Sequence, residues 1–66
     1  GQLQELLQSR NQPVPVYELL ESVGPDHEKT FTIRVLVDEK EIGRGTGRSR
    51  KSAESTAAAH ALGQIT

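Results

Sequence analysis

Apolar residues recur along this chain at two spacings, and each spacing predicts a different kind of element. Leu3, Leu6 and Leu7 stand at i, i+3 and i+4 with polar residues between them, which predicts a short amphipathic helix that ends before Asn11. The segment 50–65 is rich in alanine and carries its apolar residues at helical spacing, which predicts a longer helix. The two predicted helices enclose the middle of the sequence.

The middle of the sequence predicts three strands. The strongest signal lies at 31–38, where the residues on one face are β-branched or aromatic. A first strand is predicted at 16–23, with Tyr17 and Leu19 on one face, and a third, glycine-rich strand at 42–46. The alternating glycines at the third strand predict that another part of the backbone comes close to it.

The predicted elements follow the order α-β-β-β-α, with a tight turn over 38–41 before the third strand. We therefore predict an α+β fold in which two helices pack on one face of a three-stranded antiparallel sheet. The sequence shows no repeat or internal boundary, so residues 1–66 are predicted to form a single domain. The predicted core residues are Leu3, Leu6, Leu7, Tyr17, Leu19, Phe31, Ile33, Val35, Val37, Ala57, Ala61, Leu62 and Ile65.

Composition limits the chemistry that this chain can perform. It has no cysteine, so neither a disulfide nor a Cys-ligated zinc ion can stabilise its small core. Its two histidines, His27 and His60, stand too far apart in the sequence to form a metal-ligand motif. No segment reaches the roughly 18 apolar residues of a membrane span. We predict a cytoplasmic module with no metal, membrane or small-molecule partner.

Positive charge is concentrated in one stretch, although the net charge of the chain is -1. The cations of residues 44–53, a segment without acids, are Arg44, Arg48, Arg50 and Lys51. Arg50 and Lys51 fall in the first turn of the last predicted helix, where the helix dipole disfavours cations, and Ser49 is the predicted N-cap. Free N–H groups, the dipole and the cations would all attract phosphate there. The alternative is a solvated basic helix end without function.

Two further groups of polar side chains are candidates for binding. Gln4 and Gln8 lie one helical turn apart, so their amides project from the first helix beside Glu5 and can donate or accept hydrogen bonds. His27 and Lys29 stand in a turn-rich loop. On residue types alone, both groups are also compatible with an ordinary solvated surface. One Tyr and one Phe are too few aromatic residues for the stacking surfaces that bind single strands.

Taken together, these segments resemble the double-stranded RNA-binding domain family over nearly the whole chain, from about residue 3 to residue 65. The matching segments are Leu3-Gln4-Glu5 with Gln8, Pro15-Val16-Tyr17, Gly24-Pro25-Asp26-His27, Phe31, Gly43-x-Gly45, Arg50-Lys51-Ser52-Ala53-Glu54, Ala57-Ala58 and Ala61-Leu62. The first two segments look most like the carboxy-terminal RNA-binding domain of bacterial-type ribonuclease III. Arg50 departs from the family's frequent lysine but keeps the charge and offers phosphate a planar fork of donors.

The resemblance implies recognition of double-stranded RNA by its A-form shape, largely independent of sequence, across two minor grooves and the phosphates between them. Contacts are implied in the first helix, in the first loop of the sheet and at the start of the last helix. The implied RNA-binding residues are Gln4, Glu5, Gln8, Gly24, Pro25, Asp26, His27, Ser49, Arg50 and Lys51. Auxiliary candidates are Lys29, Arg44 and Arg48.

The resemblance also implies that this chain binds RNA without cleaving it. Ribonuclease III cuts with a separate, carboxylate-rich, Mg²⁺-dependent domain, and no such acidic cluster occurs here. We therefore expect no cofactor for this domain and Mg²⁺ only in the nuclease domain of a parent protein. Two alternatives are a domain of the same fold that binds proteins or dimerises, and the RNA-binding domain of a protein that is not a nuclease. The intact basic motif disfavours the first alternative.

Overall fold

The structure is a computed structural model that describes residues 1–66. Its elements are α1 (Gln2–Ser9), β1 (Val16–Val23), β2 (Thr30–Val37), β3 (Lys40–Gly47) and α2 (Arg50–Ile65). The predicted order α-β-β-β-α is confirmed, and the bounds of the first strand and the last helix agree with the prediction. None of the helices has both the length and the apolar character needed to cross a membrane.

The three strands form one antiparallel sheet in the order β1-β2-β3, so β1 and β3 are its edges. The hairpin between β2 and β3 turns at Asp38 and Glu39, whose φ angles are 53° and 67°. Two successive residues with positive φ are the geometry of a two-residue hairpin turn, which matches the twist of the strands. The third strand therefore begins at Lys40, two residues earlier than predicted, and it contains a bulge where Glu41 pairs with Leu36.

Helix α2 lies directly on β3 because the facing residues are glycine and alanine. Gly43, Gly45 and Gly47 project toward Ala53, Ala57 and Ala61 of the helix, and all three alanines are fully buried. A Cβ atom on the first of these glycines would lie 2.6 Å from the backbone oxygen of Ala57, and one on the last would lie 2.6 Å from the backbone nitrogen of Ala53. The predicted close approach of another backbone is thus confirmed.

The buried core lies between α2, α1 and the sheet face that they cover, which we call the inner face. Its eight buried residues are Leu3, Leu7, Ile33, Val35, Val37, Ala53, Ala57 and Ala61. Five other residues are only partly buried and pack around this cluster: Phe31, Ile42, Ala58, Leu62 and Ile65. Leu6 is also only partly buried. The core is therefore smaller than the sequence predicted.

Strand β1 is exposed along its whole length, and this corrects the predicted core. Tyr17 and Leu19 do point to the inner face, since they pair with the buried residues Val35 and Ile33. Their exposed fractions are nevertheless 37% and 38%. Helix α2 packs closely on β3 and β2 and much less on β1, and α1 packs mainly on α2. The inner face at β1 therefore extends beyond the cover of the helices.

Candidate nucleic-acid interface

The predicted contact residues of α1 form one free polar face. Leu3 and Leu7 are buried, whereas Gln4, Glu5 and Gln8 are exposed. At about 100° per residue, these three polar side chains fall within an arc of about 100° on the side of α1 away from the core. None of the three side chains forms an ion pair or a hydrogen bond within the chain. The face is free to bind an external partner.

The loop between β1 and β2 is a defined turn. Gly24 has a φ of +101°, and a Cβ atom there would lie 2.6 Å from the backbone oxygen of Glu28. The Glu28 N–H donates to the Pro25 carbonyl over 2.9 Å, which closes the turn. His27 is exposed at the tip of this turn, and Lys29 lies 3.7 Å from the fully exposed carboxylate of Asp26. The backbone of this hydrogen-bonded turn therefore places His27 at its exposed tip.

The start of α2 carries two cations that no acid of the chain neutralises. Ser49 is the N-cap, as predicted, and its hydroxyl oxygen accepts a hydrogen bond of 3.0 Å from the Ser52 N–H. Arg50 and Lys51 are exposed and take part in no ion pair. Glu54 lies one helical turn after Arg50 but forms no ion pair with it. The first turn of α2 thus combines free N–H groups, the positive end of the helix dipole and two free cations.

The register of the sheet brings the loop and the start of α2 to the same end of the molecule. Val23 pairs with Thr30 beside the loop, and the next residue, Phe31, pairs with Gly47 at the end of β3. Only Arg48 and Ser49 separate that point from α2. The His27 turn and the Arg50–Lys51 pair therefore project from one end of the sheet, with the exposed Arg48 between β3 and the helix.

A groove joins this end of the molecule to α1. Lys51, Ser55 and Ala59 succeed one another at i, i+4 and i+8 along one exposed face of α2. The groove runs beside the last two of these residues and reaches Gln4 of α1 and Tyr17 of β1. Burial and the nearby Glu54 carboxylate raise the pKa of the Tyr17 hydroxyl. The α1 face and the α2 cations therefore belong to one continuous surface.

Arg44 is not part of this surface. It pairs across the sheet with Arg34 and points to the outer face, the side of the sheet opposite α2. Its guanidinium donates two hydrogen bonds to the Glu41 carboxylate, over 2.8 and 3.1 Å, while Arg34 donates to Glu18 over 2.7 Å. The hydrogen bond from Arg44 holds the pKa of Glu41 below its ordinary value, and the same bond raises the pKa of Arg44. The cations of residues 44–53 are therefore divided between two faces of the molecule.

His60 has a structural contact that the sequence did not indicate. Its Nδ1 accepts a hydrogen bond of 3.0 Å from the Arg44 N–H, which lies on the free edge of β3. This bond requires the proton of a neutral ring to be on Nε2, which lies 3.3 Å from the side chain of Gln64. No sequence signal marks such a contact, because it depends on β3 being an edge strand. No three His, Asp or Glu side chains gather into a possible metal site.

Comparison with known sequences gives the same assignment along almost the whole chain. The family described as the double-stranded RNA binding motif matches residues 1–65. Ribonuclease 3 of Streptococcus equi subsp. zooepidemicus is 49% identical over 63 residues, which are 96% of this chain and 27% of that protein. Ribonuclease 3 of Protochlamydia amoebophila is 44% identical over 96% of this chain and 26% of its own length. The chain spans about a quarter of the length of these curated relatives.

Solved structures with similar folds are also double-stranded RNA-binding domains (dsRBDs). The first dsRBD of protein HYL1 is 36% identical and gives a TM-score of 0.78, with 98% of this chain and 92% of that chain covered. The second dsRBD of DRB4 is 34% identical with a TM-score of 0.68, covering 97% of this chain and 89% of that one. Family match, sequence relatives and fold agree: the chain belongs to the double-stranded RNA-binding motif family.

Proposed function

We propose that this chain binds double-stranded RNA by its A-form shape, largely without regard to sequence, through α1, the His27 loop and the start of α2. The observation that carries the proposal is the pair of exposed, unneutralised cations, Arg50 and Lys51, at the capped N-terminus of α2. They stand at the same end of the sheet as the His27 loop. The family to which the chain belongs supports the same function.

The start of α2 would bind phosphate across the major groove. Arg50 and Lys51 supply full charges, and the free N–H groups of the first turn supply directed donors. Because A-form RNA has a deep and narrow major groove, phosphates of both strands approach each other across it. A single helix end can then contact both sides of the groove, with Ser49 and Arg48 next to it. Each phosphate contact taken singly is one that DNA could also make, so this patch is the least selective of the three.

The α1 face and the loop would supply the preference for RNA. Gln4, Glu5 and Gln8 can donate to or accept from ribose 2′-hydroxyl groups, and Glu5 in particular can only accept when it is ionised. A carboxylate beside a nucleic acid is repelled unless a donor is present, and the 2′-hydroxyl is such a donor. His27, presented by the turn that Gly24 and Pro25 shape, would enter the neighbouring minor groove.

The wider protein to which such a module would belong is a ribonuclease III. The identity of 49% with one ribonuclease 3 and 44% with another supports this assignment. In that setting the chain would position duplex RNA for a separate catalytic domain, and the Mg²⁺ chemistry would belong to that domain. The cytoplasmic location stays a prediction. A protein-binding domain of the same fold is the less favoured function, because Arg50 and Lys51 are free to bind an anion.

A titration with three matched nucleic acids tests the proposed function. Fluorescence anisotropy would be measured with duplex RNA, duplex DNA of the same sequence and one RNA strand, all at the same salt concentration. Since each net hydrogen bond contributes about 0.5–1.5 kcal/mol, three lost 2′-hydroxyl contacts would weaken binding to DNA by at least about tenfold. We expect the single strand to bind more weakly than the RNA duplex.

A matched variant assigns the preference to α1. Replacing both Gln4 and Gln8 with alanine should reduce the affinity for RNA more than the affinity for DNA, with the fold preserved by circular dichroism. Equal affinity of the unmodified chain for duplex RNA and duplex DNA would contradict the 2′-hydroxyl argument. Failure to bind either duplex would reject the proposed function itself.

A further inference from the structure

The groove between α1, β1 and α2 has the size and the chemistry of a small-ligand site. It has a volume of about 330 Å³, which falls within the roughly 300–1,000 Å³ of such sites. Its floor and rim combine apolar and polar residues: Gln2, Gln4, Pro15, Tyr17, Ser55 and Ala59. The groove exists because α2 covers the inner face at β1 only in part, so that Tyr17 keeps an exposed fraction of 37%.

The polar side chains around this groove are free to bind a ligand. Gln2, Gln4, Tyr17 and Ser55 form no side-chain hydrogen bond within the chain. The Tyr17 hydroxyl, whose pKa is raised by burial and by the Glu54 carboxylate, can donate a hydrogen bond as well as accept one. Amides and hydroxyls of this kind can match the donors and acceptors on the edge of a nucleobase.

The position of the groove determines which ligand can reach it. Gln4 belongs both to the groove and to the α1 face, and Lys51 lies one helical turn before Ser55 on the same side of α2. A duplex that contacts both Gln4 and Lys51 therefore passes directly over the groove opening. We propose that the groove receives a single unpaired nucleobase, bulged from the bound RNA duplex, against the ring of Tyr17.

The limit of one base follows from the composition. Tyr17 is the only residue with an aromatic ring that lines the groove, so no second ring lies beside it on which successive bases could stack. Phe31 is partly buried against the core. A base that is already unpaired costs least to move out of the stack, which favours a bulge over a base pair. The inference rests on the proposed function and adds to it a preference for duplexes that contain a bulge.

Three RNA duplexes of one sequence test this inference with the 66-residue chain. The first is fully paired, the second carries one bulged adenosine, and the third carries an abasic residue at the bulge. Because binding is independent of register, the chain can place itself with the bulge over the groove. Stacking of one base on an aromatic ring corresponds to about five- to a hundredfold in affinity. Because the groove is open to solvent, we expect a value at the low end of this range: the duplex with the adenosine bulge should bind about five- to tenfold more tightly than the duplex with the abasic bulge.

Two variants assign the effect to the groove. Ala59→Leu fills the groove from an exposed helix position, and Tyr17→Ala removes the aromatic ring. Both variants should bind the adenosine and abasic bulges equally well. Both should keep the affinity of the unmodified chain for the fully paired duplex. Gln64→Leu places the same new side chain on α2 outside the groove and should keep the difference. Equal binding of the two bulged duplexes, or a difference that survives Ala59→Leu, would overturn the inference. If the unmodified chain did not bind the fully paired duplex at all, that result would instead reject the proposed function.

Discussion

The two pairs of cations in and near the basic stretch have opposite surroundings. Arg44 and Arg34 lie side by side on the outer face, and each donates hydrogen bonds to a glutamate. Arg50 and Lys51 stand at the start of α2 without any acidic partner. Only five residues lie between Arg44 and Arg50 in the sequence, yet their side chains lie on opposite sides of the sheet. Cations that are close in the sequence therefore do not have to lie on the same surface of the protein.

This difference indicates which cations can bind an anion. A phosphate that approached Arg44 would have to compete with the Glu41 carboxylate, which already accepts two hydrogen bonds from that guanidinium. At Arg50 and Lys51 nothing in the chain has to be displaced, and the dipole of α2 adds to the attraction. The outer pair is engaged by glutamates of the sheet, and the pair on α2 is available to an anion.

The largest expected effect is the loss of RNA binding when both α2 cations are removed. We expect Arg50→Ala combined with Lys51→Ala to abolish detectable binding of duplex RNA in an anisotropy titration. The melting temperature should stay the same or rise slightly, because two charges that oppose the helix dipole are lost, each worth about a few tenths of a kcal/mol. Thermal unfolding followed by circular dichroism checks the second part.

Arg44→Ala is the matched control for this double variant. It removes one cation from the same stretch of sequence, but from the outer face. Its affinity for RNA should equal that of the unmodified chain, whereas its melting temperature should fall slightly because Glu41 loses a partner. If Arg44→Ala reduced the affinity for RNA as much as the double variant does, both faces of the sheet would have to contact the duplex. The contrast between the two cation pairs would then be wrong.

A smaller effect is expected in the salt dependence of binding. Release of counterions from a few phosphates predicts a slope of log affinity against log salt of about -2 to -4 for the unmodified chain. Arg50→Ala or Lys51→Ala alone should make this slope shallower by about 1, as expected for one lost phosphate contact. Arg44→Ala should leave the slope unchanged. Titrations over a series of sodium chloride concentrations would measure it, and equal slopes for all variants would count against a phosphate role on α2.

The smallest expected effect is the loss of stability at acidic pH that comes from the ion pair between Arg44 and Glu41 on the outer face. The pKa of Glu41 is lowered by its hydrogen bonds with Arg44, so its stabilising contribution is present above the ordinary value of 4.5 and is lost as the pH falls below it. The melting temperature of the unmodified chain should therefore fall further between neutral and acidic pH than that of Glu41→Gln. The interaction is exposed, so high salt should reduce the difference.

Glu39→Gln provides the control for this pH series. Glu39 lies in the neighbouring turn and forms no ion pair, so its replacement should leave the acid sensitivity of the melting temperature as it is. If Glu41→Gln and the unmodified chain lost stability in parallel, the pairing of Arg44 with Glu41 would not matter in solution, and the contrast between the two cation pairs would weaken.

The sequence was sufficient for the elements and for the cap of α2, because those depend on local patterns. It was not sufficient for burial at β1. Alternation places Tyr17 and Leu19 on the inner face correctly, but it does not tell how far the helices extend over that face. The sequence also did not indicate the early start of β3. Asp38 and Glu39 adopt positive φ angles in the turn, but neither is the glycine that usually marks such a turn.

The candidate site shows the same division. The Ser49 cap is confirmed, and the free state of Arg50 and Lys51 agrees with the prediction of an anion site; their contact with RNA stays a prediction. The side on which Arg44 lies could not be read from the sequence, because alternating glycines allow either face until the register with β2 is known. The contact of His60 with the edge of β3 depends on tertiary structure alone.

The contact between glycine and alanine in the core also determines the spacing of the recognition surface. Helix α2 rests on the glycine backbone of β3 with only small side chains, chiefly alanine methyl groups, between them, so the height of its first turn above the sheet is set by the close approach of two backbones. The loop that carries His27 belongs to the sheet, and the cations belong to the helix. A single methyl group added at Gly45, which lies outside the proposed contacts, should raise one relative to the other, since a close-packed interior cannot absorb it. In the proposed binding mode, the distance that the protein would span on a duplex is therefore set by buried residues outside the contact surface.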